Sequence, residues 1–384
     1  MNPASSPLPF LDAVGRVSGG GDLSFDEMRA AVNAIMRVGG STDADRTATS
    51  GGGSIADDSI TGESITDESI TERAITDEQI AVLLTALATK GETVDEVAGA
   101  AAALRDHMTP LRTTQTGVVD TCGTGGGGSK TFNVSTTAAI VAAAAGAPVA
   151  KHGNRSVTSR SGSADVLAEL GVNLQASVEQ VERCLDELGI CFCFAPLMHP
   201  AMKRVGAVRK RLGTRTIFNV LGPLANPARA EHQLLGAGLA ELRPLLAGAI
   251  HRLGTSRTLV VHGDDGVGGL GVGDVTITGA TRVTEVTPDG LRDFEWTPAE
   301  FGVAEGRLED LVIETPAESA RLIRQVLAGE HGAPRDMVVV NAAAALIASN
   351  RAESPAEAAE QAAAAIDSAA ATTLLDKLGK LSHA

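Results

Sequence analysis

Residues 118–165 read VVDTCGTGGGGSKTFNVSTTAAIVAAAAGAPVAKHGNRSVTSRSGSAD, and this stretch sets the fold class. It holds two loops suited to an anion, separated by about one helix. Val118-Val119 reads as the end of a buried strand, and the glycine run from Gly123 to Gly128 follows it closely. Glycine reaches positive φ at no steric cost, so such a run can turn several backbone N–H groups toward a phosphate. Asn133-Val134-Ser135-Thr136-Thr137 then opens an apolar helix, whose positive end faces the loop. A short strand at Val149-Ala150 leads to Lys151-His152-Gly153-Asn154-Arg155-Ser156-Val157-Thr158-Ser159, which offers cations, an amide and hydroxyls. A glycine run alone also fits a flexible linker. Its pairing with the second loop at one β-α-β spacing favours a pyrophosphate site. The pattern is neither GxGxxG nor GxxxxGK[ST], so a dinucleotide fold or a P-loop is not supported.

Composition narrows the class. A chain of 384 residues has room for a large domain and a smaller one. One Trp, no Tyr and eight Phe leave few stacking platforms, and the net charge of −15 opposes a nucleic-acid partner. The central region nevertheless gathers Lys151, Arg155, Lys203, Arg204, Arg209, Lys210, Arg211 and Arg215, which fits a small polyanion. No CxxC pair with a His partner appears among the four cysteines, and Cys191 and Cys193 alternate as apolar residues of one strand face. No signal sequence or membrane span is read, and a reduced, cytoplasmic protein is expected.

Along the chain, residues 1–9 read as a disordered start, and Ser24 with Glu27 forms a capping box. Residues 54–78 hold five tandem five-residue units, SIADD to AITDE, whose period builds no apolar face. The insert at 41–73 is therefore expected to be disordered, and Thr76 to N-cap the helix that follows it. Residues 1–116 read as a small, all-helical, discontinuous N-terminal domain, and 117–384 as a large α/β domain. Strands are expected at Ile190–Phe194, Gln233–Gly236, Thr258–His262, Val275–Ile277 and Met337–Asn341, alternating with helices. That alternation indicates a mainly parallel central sheet covered by helices.

GTGG at 123–126, TFNVST at 131–136, KHGNR at 151–155 and SGSAD at 161–165 stand in a specific order and spacing. In these, and in RTIFN at 215–219 with the GPL and NP beyond it, the chain resembles the anthranilate phosphoribosyltransferases of tryptophan biosynthesis from about Ile75 onward. The resemblance implies a nucleoside-phosphorylase-type fold in which 198–225 packs back on the N-terminal helices, and a homodimer. It implies transfer of phosphoribose from phosphoribosyl pyrophosphate (PRPP) to the amine of anthranilate, with Mg2+ as a clamp and no covalent nucleophile. Carried over by motif, Gly123, Thr124, Gly125, Gly126 and Gly127 give backbone contacts to PRPP. Thr131, Asn133, Val134, Ser135 and Thr136 meet its phosphates and ribose. Lys151, His152, Gly153, Asn154, Arg155, Ser156, Val157, Thr158 and Ser159 grip pyrophosphate, and Ser163 completes the pocket. Gly123, Asn154 and Arg209 face anthranilate, with Arg209 balancing its carboxylate. Ser135 and Asp274 are the implied metal ligands. His152 is read as fixing loop geometry rather than as a base, and His199 as lining the anthranilate side or as a cap.

Two departures stand out. Gly127 occupies the place of the family's GTGGD aspartate, and the Asp-Glu metal pair after HG.DG becomes Gly273-Asp274, or Gly268-Gly269 without a gap. Asp264 and Asp265 are the nearby carboxylates that could compensate. These departures leave open a catalytically impaired paralogue acting as a binding or regulatory module. A transferase for another aromatic acceptor, or a nucleoside phosphorylase, is the third reading.

Overall fold

The computed structural model describes residues 8–37, 75–126, 130–156 and 160–384. The pentapeptide insert and the expected disordered start lie outside these, apart from short edges, as do Gly127, Val157, Thr158 and Ser159. Four helices come first: α1 (Phe10–Ser18), α2 (Phe25–Arg37), α3 (Asp77–Lys90) and α4 (Val94–Asp106). Their starts follow local chemistry. Ser24 and Glu27 exchange hydrogen bonds at α2, and Thr76–Gln79 and Thr93–Glu96 form complete capping boxes at α3 and α4. Glu96 also binds this unit together. Its fully buried carboxylate accepts from the N–H groups of Leu23 and Thr93 and from Lys90 Nζ, at 2.9–3.0 Å.

The α/β part runs β1 (Val119–Gly123), α5 (Val134–Ala144), β2 (Val149–Gly153), α6 (Ser163–Glu169), α7 (Val178–Leu188), β3 (Ile190–Phe194), α8 (Ala195–Met198), α9 (Met202–Leu212) and α10 (Phe218–Leu221). It continues with β4 (His232–Gly236), α11 (Leu242–Leu253), β5 (Arg257–Gly263), β6 (Thr281–Thr287), β7 (Gly290–Trp296), α12 (Pro316–Leu327), α13 (Ala333–Ala348), α14 (Pro355–Asp367) and α15 (Ala370–Leu381). The seven strands lie in the order β3-β2-β1-β4-β5-β6-β7, parallel through β5 and antiparallel for β6 and β7. Helices cover both faces, and successive strand residues point to opposite sides. Leu234, Leu259 and Val261 join a core with α5 and α13, whereas Leu235 and Val260 join a second core with α11 and the N-terminal helices. Val205, Val208, Ile217 and Phe218 belong to that second core, and Arg204 on α9 binds Asp77 of α3 at 2.9 Å.

Two expectations fail for physical reasons, and one element was not expected. Met337–Asn341 is not a strand but the middle of α13. Its β-branched run favours extended structure only weakly, and burial on nearly all sides of a sixteen-residue helix overrides that preference. Val275–Ile277 is a loop rather than a strand, because Asn341 on α13 takes its backbone: Oδ1 accepts from Val275 N and Nδ2 donates to Val275 O. Finally, the β6–β7 hairpin was absent from the expected strands, although Asp289-Gly290 between two alternating stretches is a turn signal.

Gly99 shows how tightly α2 and α4 cross. A Cβ there would lie 2.3 Å from the Phe25 carbonyl oxygen. Alanine is the better helix former by about 1 kcal/mol, yet overpacking costs about 1–3 kcal/mol. Gly99→Ala is therefore expected to lower the thermal midpoint. A raised midpoint would show that propensity outweighs the crossing.

Candidate active site

The order of the sheet reverses at β1. The chain steps from β1 to β2 and β3 on one side, then returns to β4 on the other. In open α/β sheets the crevice at the carboxyl ends of such strands is where ligands bind. Here the two strands end at the paired glycines Gly123 and Gly236. Gly236 is obligatory for packing, since a Cβ on it would sit 1.7 Å from Gly273 O. The glycine loop is leashed to this point: Thr124 N donates to Gly236 O at 2.9 Å and Gly238 N to Thr124 Oγ1 at 3.0 Å. Gly125 and Gly126 then stand exposed with φ of 64° and 80°. The Arg215 guanidinium abuts Gly126, 3.0 Å from where a Cβ would project.

Lys151 forms the floor. Its ammonium is buried on β2, donates to the Thr121 carbonyl, and lies 3.4 Å from Ser135 Oγ in the first turn of α5. Burial pulls its pKa down, while the charges of Asp120, Cys122 and Asp274 oppose that shift. Asp274, half-buried on the segment that crosses the ends of β4 and β5, has its carboxyl raised to about 7 by burial, with Lys151 opposing. Asp120 is fully buried and accepts from His152 N at 3.1 Å and from Cys122 Sγ at 3.2 Å. Behind it, His152 Nδ1 meets Gly222 O at 2.9 Å and its Nε2 meets His199 Nε2 at 3.2 Å. His152 thus fixes geometry between β2 and the 222–224 turn, and His199 is buried against it.

The remaining expected residues divide by how committed they are. Asn133 is a tie between loops: Nδ2 donates to Ser161 O, and Oδ1 accepts from Ser319 Oγ at 2.8 Å. Thr131 pairs with Val312, and Val134 is core. Thr136 Oγ1 is buried without a partner among the described residues. Gly153 lies so close to Ser163 that a Cβ would come within 2.1 Å of its Oγ, and Ser163 Oγ donates to Asn154 O. Asn154 is exposed, and its Oδ1 accepts from Arg155 N. Arg155 pairs with Asp165 at 3.0 Å, while the other Asp165 oxygen accepts from Ser156 N and Gly162 N. Arg209 is half-buried, donates to Asn219 Oδ1 at 3.3 Å, and has no ion-pair partner among the described residues. Asp264 and Asp265 do not reach the crevice as compensating ligands. Asp265 accepts from the N–H groups of Val267, Gly269 and Gly271, Asp264 from Gly266 N, and both line a separate cavity with His262.

Reading the sequence missed Asp120, Asp165 and Ser319 as organisers of this site. Asp120 carried a signal, a charge inside an apolar strand, and Asp165 another, three residues after Gly162 at a helix start. Ser319 carried none, since its partner Asn133 lies 186 positions away in the chain.

A glycine loop, a buried lysine and helix α5 at the switch point of a helix-flanked sheet define a phosphate-handling transferase. Residues 115–372 match the glycosyl transferase family α/β domain model and residues 68–108 its helical bundle domain model. An anthranilate phosphoribosyltransferase of Anaeromyxobacter sp. (strain K) is 50% identical over 72% of this chain and 80% of its own length. One from Rhodopirellula baltica is 41% identical over 91% of each chain. Among solved structures, the anthranilate phosphoribosyltransferase of Thermus thermophilus superposes with a TM-score of 0.82 at 37% identity, covering 97% of this chain and all of that one. The Saccharomyces cerevisiae enzyme in complex with PRPP and Mg gives 0.81 at 27% identity, covering 97% and 98%. The chain belongs to the anthranilate phosphoribosyltransferase family.

The histidine pair makes a stability prediction. Burial lowers His152 to about 3 and His199 to about 4, below the ordinary 6.5. The unfolded chain therefore binds these protons before the folded one does. Stability should fall as pH drops from about 6.5 toward 4, by up to ~1.4 kcal/mol per pH unit for each histidine. A thermal midpoint measured from pH 7 to 4.5 should drop less steeply in His199→Asn than in the native chain. Parallel profiles would contradict the pairing.

Proposed function

We propose that this chain transfers the phosphoribosyl group of PRPP to the amine of anthranilate, giving N-(5-phosphoribosyl)anthranilate and pyrophosphate. The observation that carries this reading is the convergence of the exposed glycine loop, Lys151 and Ser135 at one crevice in a member of this family. The C1–O bond to pyrophosphate breaks, the C1–N bond forms, and the amine releases a proton to solvent. Aromatic amine and pyrophosphate are a competent nucleophile and leaving group, so the protein's work is alignment and charge neutralisation. Backbone N–H groups of 123–126 and the start of α5 suit the phosphates. Lys151 lies where negative charge builds, and Arg209, free of an acid and half-desolvated, suits the anthranilate carboxylate. Asn154, exposed just after β2, is assigned to the acceptor side with Arg209.

Among the described residues no group of three or more His, Cys, Asp or Glu side chains is placed to hold a metal. Ser135 and Asp274, both beside Lys151, nevertheless suit Mg2+, which needs few protein ligands when substrate phosphates and waters complete its shell. When bound, it would neutralise charge on the departing pyrophosphate. Its binding would compete with the Asp274 proton, so metal affinity should rise between about pH 6 and 8. One carboxylate in place of the family's two is what favours the second reading, an impaired paralogue that binds PRPP without turnover. We read 1–116 with 198–225 as the helical unit and 117–384 as the α/β unit. Leu11 of α1 and Val82 of α3, both exposed, support a second copy as partner. Among the described residues no helix is long and apolar enough to cross a membrane.

Loss of anthranilate fluorescence on adding PRPP and Mg2+ tests the activity. Arg209→Ala is expected to raise KM for anthranilate about 10- to 100-fold, the range for a hydrogen bond to a charged group, while KM for PRPP stays within about threefold. Equal effects on both would remove Arg209 from the acceptor side. PRPP binding without product in the native chain would establish the paralogue reading.

A further inference from the structure

The opposite end of the sheet holds a cavity of about 520 Å³ between α2, α4 and the residues leading into β4 and β5. It lies at the amino ends of those strands, whereas the phosphate crevice lies at their carboxyl ends. Residues 232 and 236 alone separate the two by roughly 13 Å of strand. Four guanidinium groups line it: Arg29, Arg105, Arg229 and Arg252. Two are already neutralised. Arg29 grips Asp106 through both nitrogens at 2.8–3.1 Å, and Arg252 pairs with Asp95 at 3.4 Å over the Phe25 ring.

The other two are not. Arg105 and Arg229 have no ion-pair partner among the described residues. Arg105 is half-buried, and its Nε is fixed by the Leu224 carbonyl at 2.7 Å, so its terminal nitrogens are left to the cavity. Both guanidinium groups line the same cavity, and burial, then the charge of Arg229, depress the Arg105 guanidinium. Glu231, the remaining acid of the wall, accepts from Gly117 N at 2.7 Å and, among the described residues, makes no ion pair with either guanidinium, so its one negative charge leaves the two cations in excess. Arg229 is also strained. Its φ of 50° is left-handed, a conformation that costs a non-glycine residue about 1 kcal/mol. Thr255 and Ser256 add hydroxyls to the same wall. A dianion between two guanidinium forks would satisfy both charges at once.

We propose that this cavity is a second anion site, distinct from the transfer crevice, in which Arg105 and Arg229 hold a phosphate dianion. The probe is inorganic phosphate, titrated by calorimetry at constant ionic strength into the full chain carrying Lys151→Met, which removes the crevice cation. Phosphate binding should persist in that protein. Adding Arg229→Gly, which relaxes the left-handed backbone while deleting the charge, should weaken it at least tenfold. In the otherwise native chain, Arg229→Gly should leave PRPP affinity unchanged. Loss of all phosphate binding with Lys151→Met, or indifference to Arg229→Gly, would overturn the proposal.

Discussion

A buried ammonium is the constraint on which the site rests. Lys151 sits near the carboxyl end of β2 with no carboxylate in direct contact, held by the Thr121 carbonyl and the Ser135 hydroxyl. Leaving a charge so poorly paired in an apolar setting costs several kcal/mol, and replacing it with an apolar side chain would normally stabilise the fold. The surrounding residues limit that cost without cancelling the charge. Asp120 lies one strand away, locked to His152 N and Cys122, and Asp274 faces Lys151 from the β5–β6 connection. What remains is a cation to which the proposed function assigns an anionic substrate as partner.

The sheet supplies the place and the glycines supply access. Because β1 and β4 end side by side at Gly123 and Gly236, the 273–274 segment can run across their tips, where the charges of Asp274 and Lys151 influence each other. Asn341 completes this by pinning Val275 from α13, so a helix on one face of the sheet sets the position of a carboxylate at its end. The two phosphate loops are joined in turn by Asn133, through Ser161 and Ser319. Stability and function meet in these polar ties.

Local chemistry was legible in the sequence. Ser24 and Thr76 do at helix ends what their types and spacing foretold, and the two loops lie at neighbouring strand ends as their β-α-β spacing required. What escaped was tertiary. Met337–Asn341 looked extended because Val338, Val339 and Val340 are β-branched, and only the surrounding core makes that run helical. Asp264 and Asp265 looked like spare metal ligands, yet both Asp265 oxygens and one Asp264 oxygen accept from N–H groups of their own turn. Asn133, a substrate ligand by motif, also ties together Ser161 and Ser319, partners that no local pattern announces. Spacing along the chain finds candidate ligands; it does not reveal which of them the fold has already used.

The most direct test is a calorimetric titration of PRPP with Mg2+ into the native chain and into Lys151→Met. A cation kept for the substrate predicts at least a tenfold loss of PRPP affinity in the variant, together with an unchanged or higher thermal midpoint, because an unpaired buried charge has been removed. Equal affinity in the two proteins, or a variant that unfolds while the remaining protein still binds normally, would make Lys151 a structural residue and contradict the account.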